Sequence, residues 1–232
     1  VSSSDDYAKR FSGALGQYLL DVQTHGVLKL LKPWSGATVL DVGGGHIQLA
    51  PPLLQAGFKP TLLGSDFVCS TRYQRLMAGQ PVPFVVGDIL DPPFASKSFD
   101  IVVAFRLMAH VEDWQRMIQG LCRIAKHAVI LDYPAIHSVN CLSPLLFRFK
   151  RKLEGNTRSY HLLKQKKIVD ALERSGFSSD QMYKQFFLPM VLHRMFKHSK
   201  FSRWTETFFR SVGLTTLLGS PVILRATHQD TP

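Results

Sequence analysis

Glycines at 43, 44 and 45 separate a short apolar run, ending Leu40-Asp41-Val42, from a helix-length segment spanning Gln48 to Ala56. A glycine-rich turn between strand and helix lets the backbone turn sharply and approach a ligand closely. The start of the following helix then presents unpaired N–H groups to that ligand. Asp66 closes a second apolar run about twenty residues on, where a carboxylate can accept both hydroxyls of a ribose. Asp88 closes a third such run. Three strand ends bearing glycine or acid therefore face one crevice, and the chemistry they suggest is binding of a ribose-containing molecule.

Groups able to take a proton or hold an anion fall in segments that would cover the same strand ends. They are Asp132 and Tyr133, His137, the run 156–161 with Arg158, Tyr160 and His161, and the neighbours His193 and Arg194. Spacing does not choose a base among His137, Tyr133, Tyr160 and His193. All four, with Arg158 and Arg194, are expected to line an acceptor pocket, and the two arginines suit an anionic group there. His110 serves equally well as a residue orienting the turn after the fourth strand, and His46 could reach a ligand through the glycine loop or face solvent.

The elements that must position these residues alternate. Strand candidates are 37–42, 61–66, 83–88, 99–105, 128–134, 181–188 and 221–227, each short and most rich in Val, Ile and Leu. Between them lie helical stretches at 48–56, 69–77, 113–125 and 163–175, the last closed by Gly176 as a C-cap. In the third, Trp114, Met117, Ile118, Leu121 and Ile124 recur at helical spacing as core positions. One or two helices are expected in 6–31, with Phe11, Leu15, Leu19, Val22 and Leu28 on the apolar side. Alternation of this kind indicates an α/β fold with a mostly parallel sheet. Insertions at 135–162 and 188–212 would form a helical cap.

The 232 residues, at 26.1 kDa, suit one domain over 1–232. At 45% hydrophobic and 19% charged the chain is neither disordered nor fibrous, and no apolar stretch approaches a membrane span. The polar opening VSSSDD lacks a signal-peptide pattern, so a cytoplasmic location follows by default. Cys69, Cys122 and Cys141 are odd in number and scattered, which fits neither a disulfide framework nor a zinc ribbon. The net charge of +11 is uneven: residues 1–140 hold 12 Lys and Arg against 11 Asp and Glu, and residues 141–210 hold 15 against 5. Such basicity attracts phosphates, carboxylates, nucleic acid or an anionic membrane.

Four segments in order, LDVGGG (40–45), GSDF (64–67), GDILDPPFASKSFD (87–100) and FRLMAHVEDW (105–114), resemble the motifs of the class I S-adenosylmethionine-dependent methyltransferases. The resemblance implies a three-layer Rossmann-like fold whose seven-stranded sheet has an antiparallel last strand. It further implies that Asp41, Gly43, Gly44 and Gly45 cradle the amino-acid end of S-adenosyl-L-methionine. Asp66 and Phe67 would meet the ribose side, Asp88 and the backbone of Ile89 would recognise adenine, and Phe105 and Arg106 would sit by the sulfur. Ile47 stands where the family usually has a third glycine, and AKHA (125–128) replaces the usual turn before the fifth strand. Asp91-Pro92-Pro93-Phe94 looks like an amino-methyltransferase signature but follows the third strand rather than the fourth, so it is read as a decoy. A dinucleotide fingerprint fails because Gln48 occupies the position that needs a small residue.

Methyl transfer from a sulfonium is an in-line displacement with a neutral leaving group, so no metal is called for. The expected reaction moves a methyl group to an O, N or C atom of a small anionic or lipophilic acceptor. Two alternatives stand beside it: an RNA or protein methyltransferase that uses the basic surface, and a non-enzymatic cofactor-binding or membrane-associated module.

Overall fold

The computed structural model describes residues 11–44, 48–66, 69, 82–139, 161–196 and 198–229. Its frame is a seven-stranded sheet in the order β3-β2-β1-β4-β5-β7-β6. The strands are β1 (Thr38–Val42), β2 (Lys59–Gly64), β3 (Phe84–Val86), β4 (Phe99–Ala104), β5 (Ala125–Tyr133), β6 (Phe177–Phe186) and β7 (Ser220–His228). Neighbours from β3 through β5 are parallel, whereas β7 runs antiparallel to both β5 and β6. The expected mostly parallel sheet with one antiparallel last strand is the one found.

Central strands of such a sheet are covered on both faces and so read as continuous apolar runs. Their side chains alternate between faces with period 2, and the two layers sort accordingly. Leu40, Val42, Val102, Ala104, Val129, Leu131 and Tyr133 pack with α3 (Trp114–Ile124) and α4 (Gln165–Arg174). On the other face Val39, Ile101, Val103, Phe105, Ala128 and Ile130 pack with α1 (Gly13–Leu31) and the residues around α2 (Ala50–Gln55). Met117, Ile118, Leu121 and Ile124 of α3 are wholly buried. Each such burial is worth about 1.5–3 kcal/mol, which holds a helix of this length far better than its own propensity does. Asp113 caps its start, accepting the Arg116 N–H at 3.3 Å.

Several boundaries differ from the sequence reading. No turn precedes β5: α3 passes into it at Ala125, whose backbone is already extended, so AKHA is strand rather than turn. β6 starts at Phe177, directly after Gly176 turns the chain with φ +82. The stretch 191–212 divides into α5 (Met190–Phe196) and α6 (Ser199–Ser211), and α7 (Leu214–Leu218) follows. α1 buries Leu19, Gln23, Val27 and Leu30 rather than the Val22 and Leu28 stripe, because β6 and α6 press on it as well as the sheet. The expected helix at 69–77 and most of the 135–162 insertion lie outside the described residues.

Arg225 sits in the middle of β7 and is buried. It forks onto the Asp180 carboxylate, donates Nη1 to the Leu30 carbonyl at 2.8 Å, and lies 5.1 Å from the Trp34 ring centre. This staple joins α1 to the far side of the sheet. Among the described residues no helix is long and apolar enough to cross a membrane.

Candidate active site

Strand alternation puts Asp41, Phe105 and Asp132 on one sheet face, at the carboxyl ends of three adjacent strands and beneath α1. Ligands in open α/β sheets bind at these ends. A cleft of about 310 Å³, counting its open mouth, lies there. Asp41, Gly43 and Gly44 form one wall, Phe105 and Arg106 another, and Gln23 of α1 overhangs it.

The glycines are needed for different reasons. Gly43 has φ +77, where a side chain would be strained, and its N–H donates to the Leu63 carbonyl at 2.9 Å. At Gly44 a Cβ would stand 2.6 Å from an Asp41 carboxylate oxygen and 2.9 Å from Leu62. Backbone and carboxylate are thus in immediate contact at the cleft wall. Asp41 is 3% exposed, and burial raises its pKa to about 7 despite the opposing charge of Arg106. A carboxyl held near neutrality by desolvation gains most from a cationic ligand group, because pairing removes the penalty of ionising it.

Arg106 organises the opposite side. Its backbone has φ +59, a strained value outside glycine, and its N–H donates to the Asp132 carboxylate at 2.5 Å. Nε and Nη2 both donate to Gln23 Oε1, at 3.0 and 2.7 Å, over the Phe11 ring at 4.3 Å. Nη1 is buried with no hydrogen-bond partner among the described residues. Burial lifts Asp132 to about 6, although the Arg106 N–H, the Arg106 charge and Gln185 pull the other way.

Asp66 and Asp88 do not line this cleft but stand along the same sheet end. The Gly87 N–H donates to the Gly64 carbonyl at 3.0 Å, which brings the exits of β2 and β3 together. Asp66 is half-buried and Asp88 exposed, with one Asp88 oxygen accepting the Leu90 N–H at 2.9 Å across a tight turn around Ile89. Gly45, His46, Ile47, Phe67, Arg158 and Tyr160 lie outside the described residues.

The base candidates separate. Tyr133 is wholly buried in the α3/α4 layer, its hydroxyl without a hydrogen-bond partner among the described residues and its pKa pushed well up by burial, so it faces core and not cleft. His193 is 1% exposed, its Nε2 lying 3.0 Å from Glu206. Glu206 also accepts the N–H groups of Phe187 and Leu188 at 2.8 and 2.9 Å, so His193 belongs to a buried joint between β6 and α6. Both histidine and tyrosine are corrected from site to scaffold by this burial. His137 is exposed just past β5, and the Arg194 guanidinium lies 5.5 Å from the Phe11 ring that also carries Arg106. The 91–94 tetrapeptide is latched by Arg123, which donates to the Phe94 and Pro92 carbonyls at 2.6 and 2.9 Å.

Gln23, Gln48 and Leu49 line the cleft and were not among the site candidates read from the sequence. Gln23 had left a signal: it is the polar member of an otherwise apolar series at spacing four, Leu19-Gln23-Val27.

Comparison with known proteins agrees with this geometry. Residues 40–131 match the family described as "Methyltransferase domain". The ubiquinone biosynthesis O-methyltransferase of Paramagnetospirillum magneticum is 35% identical over 88 residues, 36% of this chain and 34% of the relative. The matched segment is thus about a third of the length of that curated relative. Magnesium protoporphyrin IX methyltransferase from Synechocystis PCC 6803, solved with SAH bound, superposes with a TM-score of 0.63 at 19% identity, covering 97% of this chain and 93% of that one. The pyocyanin biosynthetic protein PhzM gives 0.58 at 21% identity, covering 90% and 55%. Residues 40–131 thus match a methyltransferase domain, and the seven-stranded fold is shared with solved methyltransferases.

Proposed function

We propose that the chain transfers the methyl group of S-adenosyl-L-methionine to an O, N or C atom of a small anionic or lipophilic acceptor. The observation that carries this is the buried Asp41 carboxyl, held at about 7 against the Gly43-Gly44 backbone at the cleft wall. Its donor set fits a cofactor with a cationic amino-acid end. When bound, the sulfonium supplies an electrophilic methyl carbon. Asp41 holds and orients the positive end, Gly44 allows the close approach, and Asp66 takes the ribose hydroxyls.

Phe105 and α1 keep water from the inner cleft, which strengthens every charge interaction there. Gln23 and Asp132 fix the Arg106 side chain and backbone at the cleft wall, beside the position expected for the sulfur. A small acceptor accords with the relatives, whose names refer to ubiquinone biosynthesis and to a magnesium porphyrin.

Calorimetric titration with S-adenosylmethionine and S-adenosylhomocysteine, with NADH as control, tests the reading. Micromolar binding of the first two and none of the third is expected. Absence of binding to both, with the chain folded, overturns it.

A further inference from the structure

Helix α6 is amphipathic in the inverted sense. Its buried residues are polar, Ser202, Thr205 and Glu206, while Phe201, Trp204 and Phe208 are 44, 68 and 52% exposed. The three aromatics recur at spacings of three and four, which places them on one helical face. Their rings form a continuous row, with centroids 6.4 Å apart between Phe201 and Trp204 and 6.5 Å between Trp204 and Phe208, the latter pair within 16° of parallel. Met195 of α5, Val212, and Leu217 and Leu218 of α7 are exposed on the flanking segments. An aromatic row left in water is a surface that something covers.

Charge identifies what covers it. The exposed side of α6 carries Lys200 and Arg203, whereas Arg210 donates to the Lys184 and Gln185 carbonyls of β6 at 3.2 and 2.7 Å; the helix's one acid, Glu206, is buried against His193 and two backbone N–H groups. Arg203 also reaches Asp21 of α1 at 3.5 Å while staying half exposed. Aromatics in a row, cations beside them and no exposed carboxylate on the helix match a phospholipid surface, with rings at the acyl boundary and cations among the phosphates. The excess of 15 Lys and Arg over 5 Asp and Glu in 141–210 adds long-range attraction of the same sign.

We propose that α6 lies in the plane of an anionic membrane surface, seating Phe201, Trp204 and Phe208 in the bilayer interface and Lys200 and Arg203 among its lipid phosphates. This docking is independent of the methyl-transfer reading, because it is measured without cofactor or turnover.

The test is co-sedimentation of the full chain with phosphatidylcholine vesicles, with and without phosphatidylglycerol. Binding only to the phosphatidylglycerol vesicles is expected, weakened by about 0.5 M salt through charge screening. The double variant Trp204→Ser, Phe208→Ser should bind at least tenfold more weakly, from the loss of two buried rings. Lys200→Ser should bind about fivefold more weakly, as one cation near a charged surface supplies. Because those side chains point outward, the variants keep the wild-type melting curve. A second readout needs no destabilising change: wild type minus Trp204→Phe fluorescence gives Trp204 alone, and its emission should move to shorter wavelength on adding phosphatidylglycerol vesicles. No vesicle binding, or binding unaffected by the double variant, overturns the proposal. Equal binding to uncharged vesicles overturns its choice of lipid. A dimer lost in the double variant, with no vesicle binding, assigns the face to a second copy instead.

Discussion

Asp41→Asn separates the stability of the cleft from its use. Raising a carboxyl from 3.8 to about 7 means that the folded chain opposes its ionisation by about 4 kcal/mol, with desolvation as the cause and Arg106 relieving part of it. The sign follows from linkage. The unfolded chain ionises this group near pH 4, so the opposition is absent below that, grows as pH rises, and is complete above about 7. Asparagine keeps the shape and cannot ionise. The variant should therefore match wild type near pH 4 and exceed it by about 2–4 kcal/mol at pH 8, or roughly 5–10 °C in melting temperature for a chain this long. Asp132, also raised, is common to both proteins and cancels in the difference. Binding should move the other way. Loss of a charge-assisted hydrogen bond to the cofactor's ammonium lowers affinity at least about tenfold at pH 8. In wild type the affinity should itself fall as pH drops through 7. Thermal melts at pH 4, 6 and 8 and calorimetry at pH 8 read both effects. A stability difference that does not change with pH, or an asparagine variant that binds as well as wild type, refutes the electrostatic argument.

Asp66→Ala should weaken cofactor binding by more than about 1 kcal/mol through lost hydrogen bonds to the ribose, and unchanged affinity by calorimetry rejects that assignment. Glu206→Ala leaves His193 and the N–H groups of Phe187 and Leu188 without their acceptor; denaturant unfolding should show a loss of about 3–5 kcal/mol, with Glu206→Gln recovering part of it. Asp100 is the opposite case to Asp41. Burial would raise it, but hydrogen bonds from the Thr38 N–H and hydroxyl and from Lys126 win and hold it at about 2. Its contribution, up to about 2 kcal/mol, is present above pH 4 and lost as pH falls through 2. Asp100→Asn should thus destabilise at pH 7 and be silent at pH 2, and an equal effect at both would show that the charge is irrelevant.

What could be read in advance was what lies within a few residues of itself. The Gly43 turn, the Asp113 to Ile124 helix with its buried stripe, and the acids closing β1, β2 and β3 announce themselves by local pattern. Arg106 was placed at the cleft by the family resemblance, but not its left-handed backbone, whose N–H is accepted by Asp132, 26 residues on. His193 was read as a site candidate because its segment was expected to cover the ends of the strands. Its partner Glu206 lies on another helix, and nothing in the intervening sequence joins them. The reversed burial of α6 was likewise hidden: an aromatic stripe usually marks the inward face, and only β6, by needing an acceptor for two N–H groups, draws the polar side in.

Arg225 holds the Leu30 carbonyl of α1 from a strand that enters the sheet between β5 and β6. Gln23, which overhangs the cleft, is on that same helix. The roof of the cleft is therefore tied at two places, to Arg106 inside the site and to β7 near the far edge of the sheet, so loosening β7 frees the Leu30 end of α1 while Gln23 keeps its hold on Arg106.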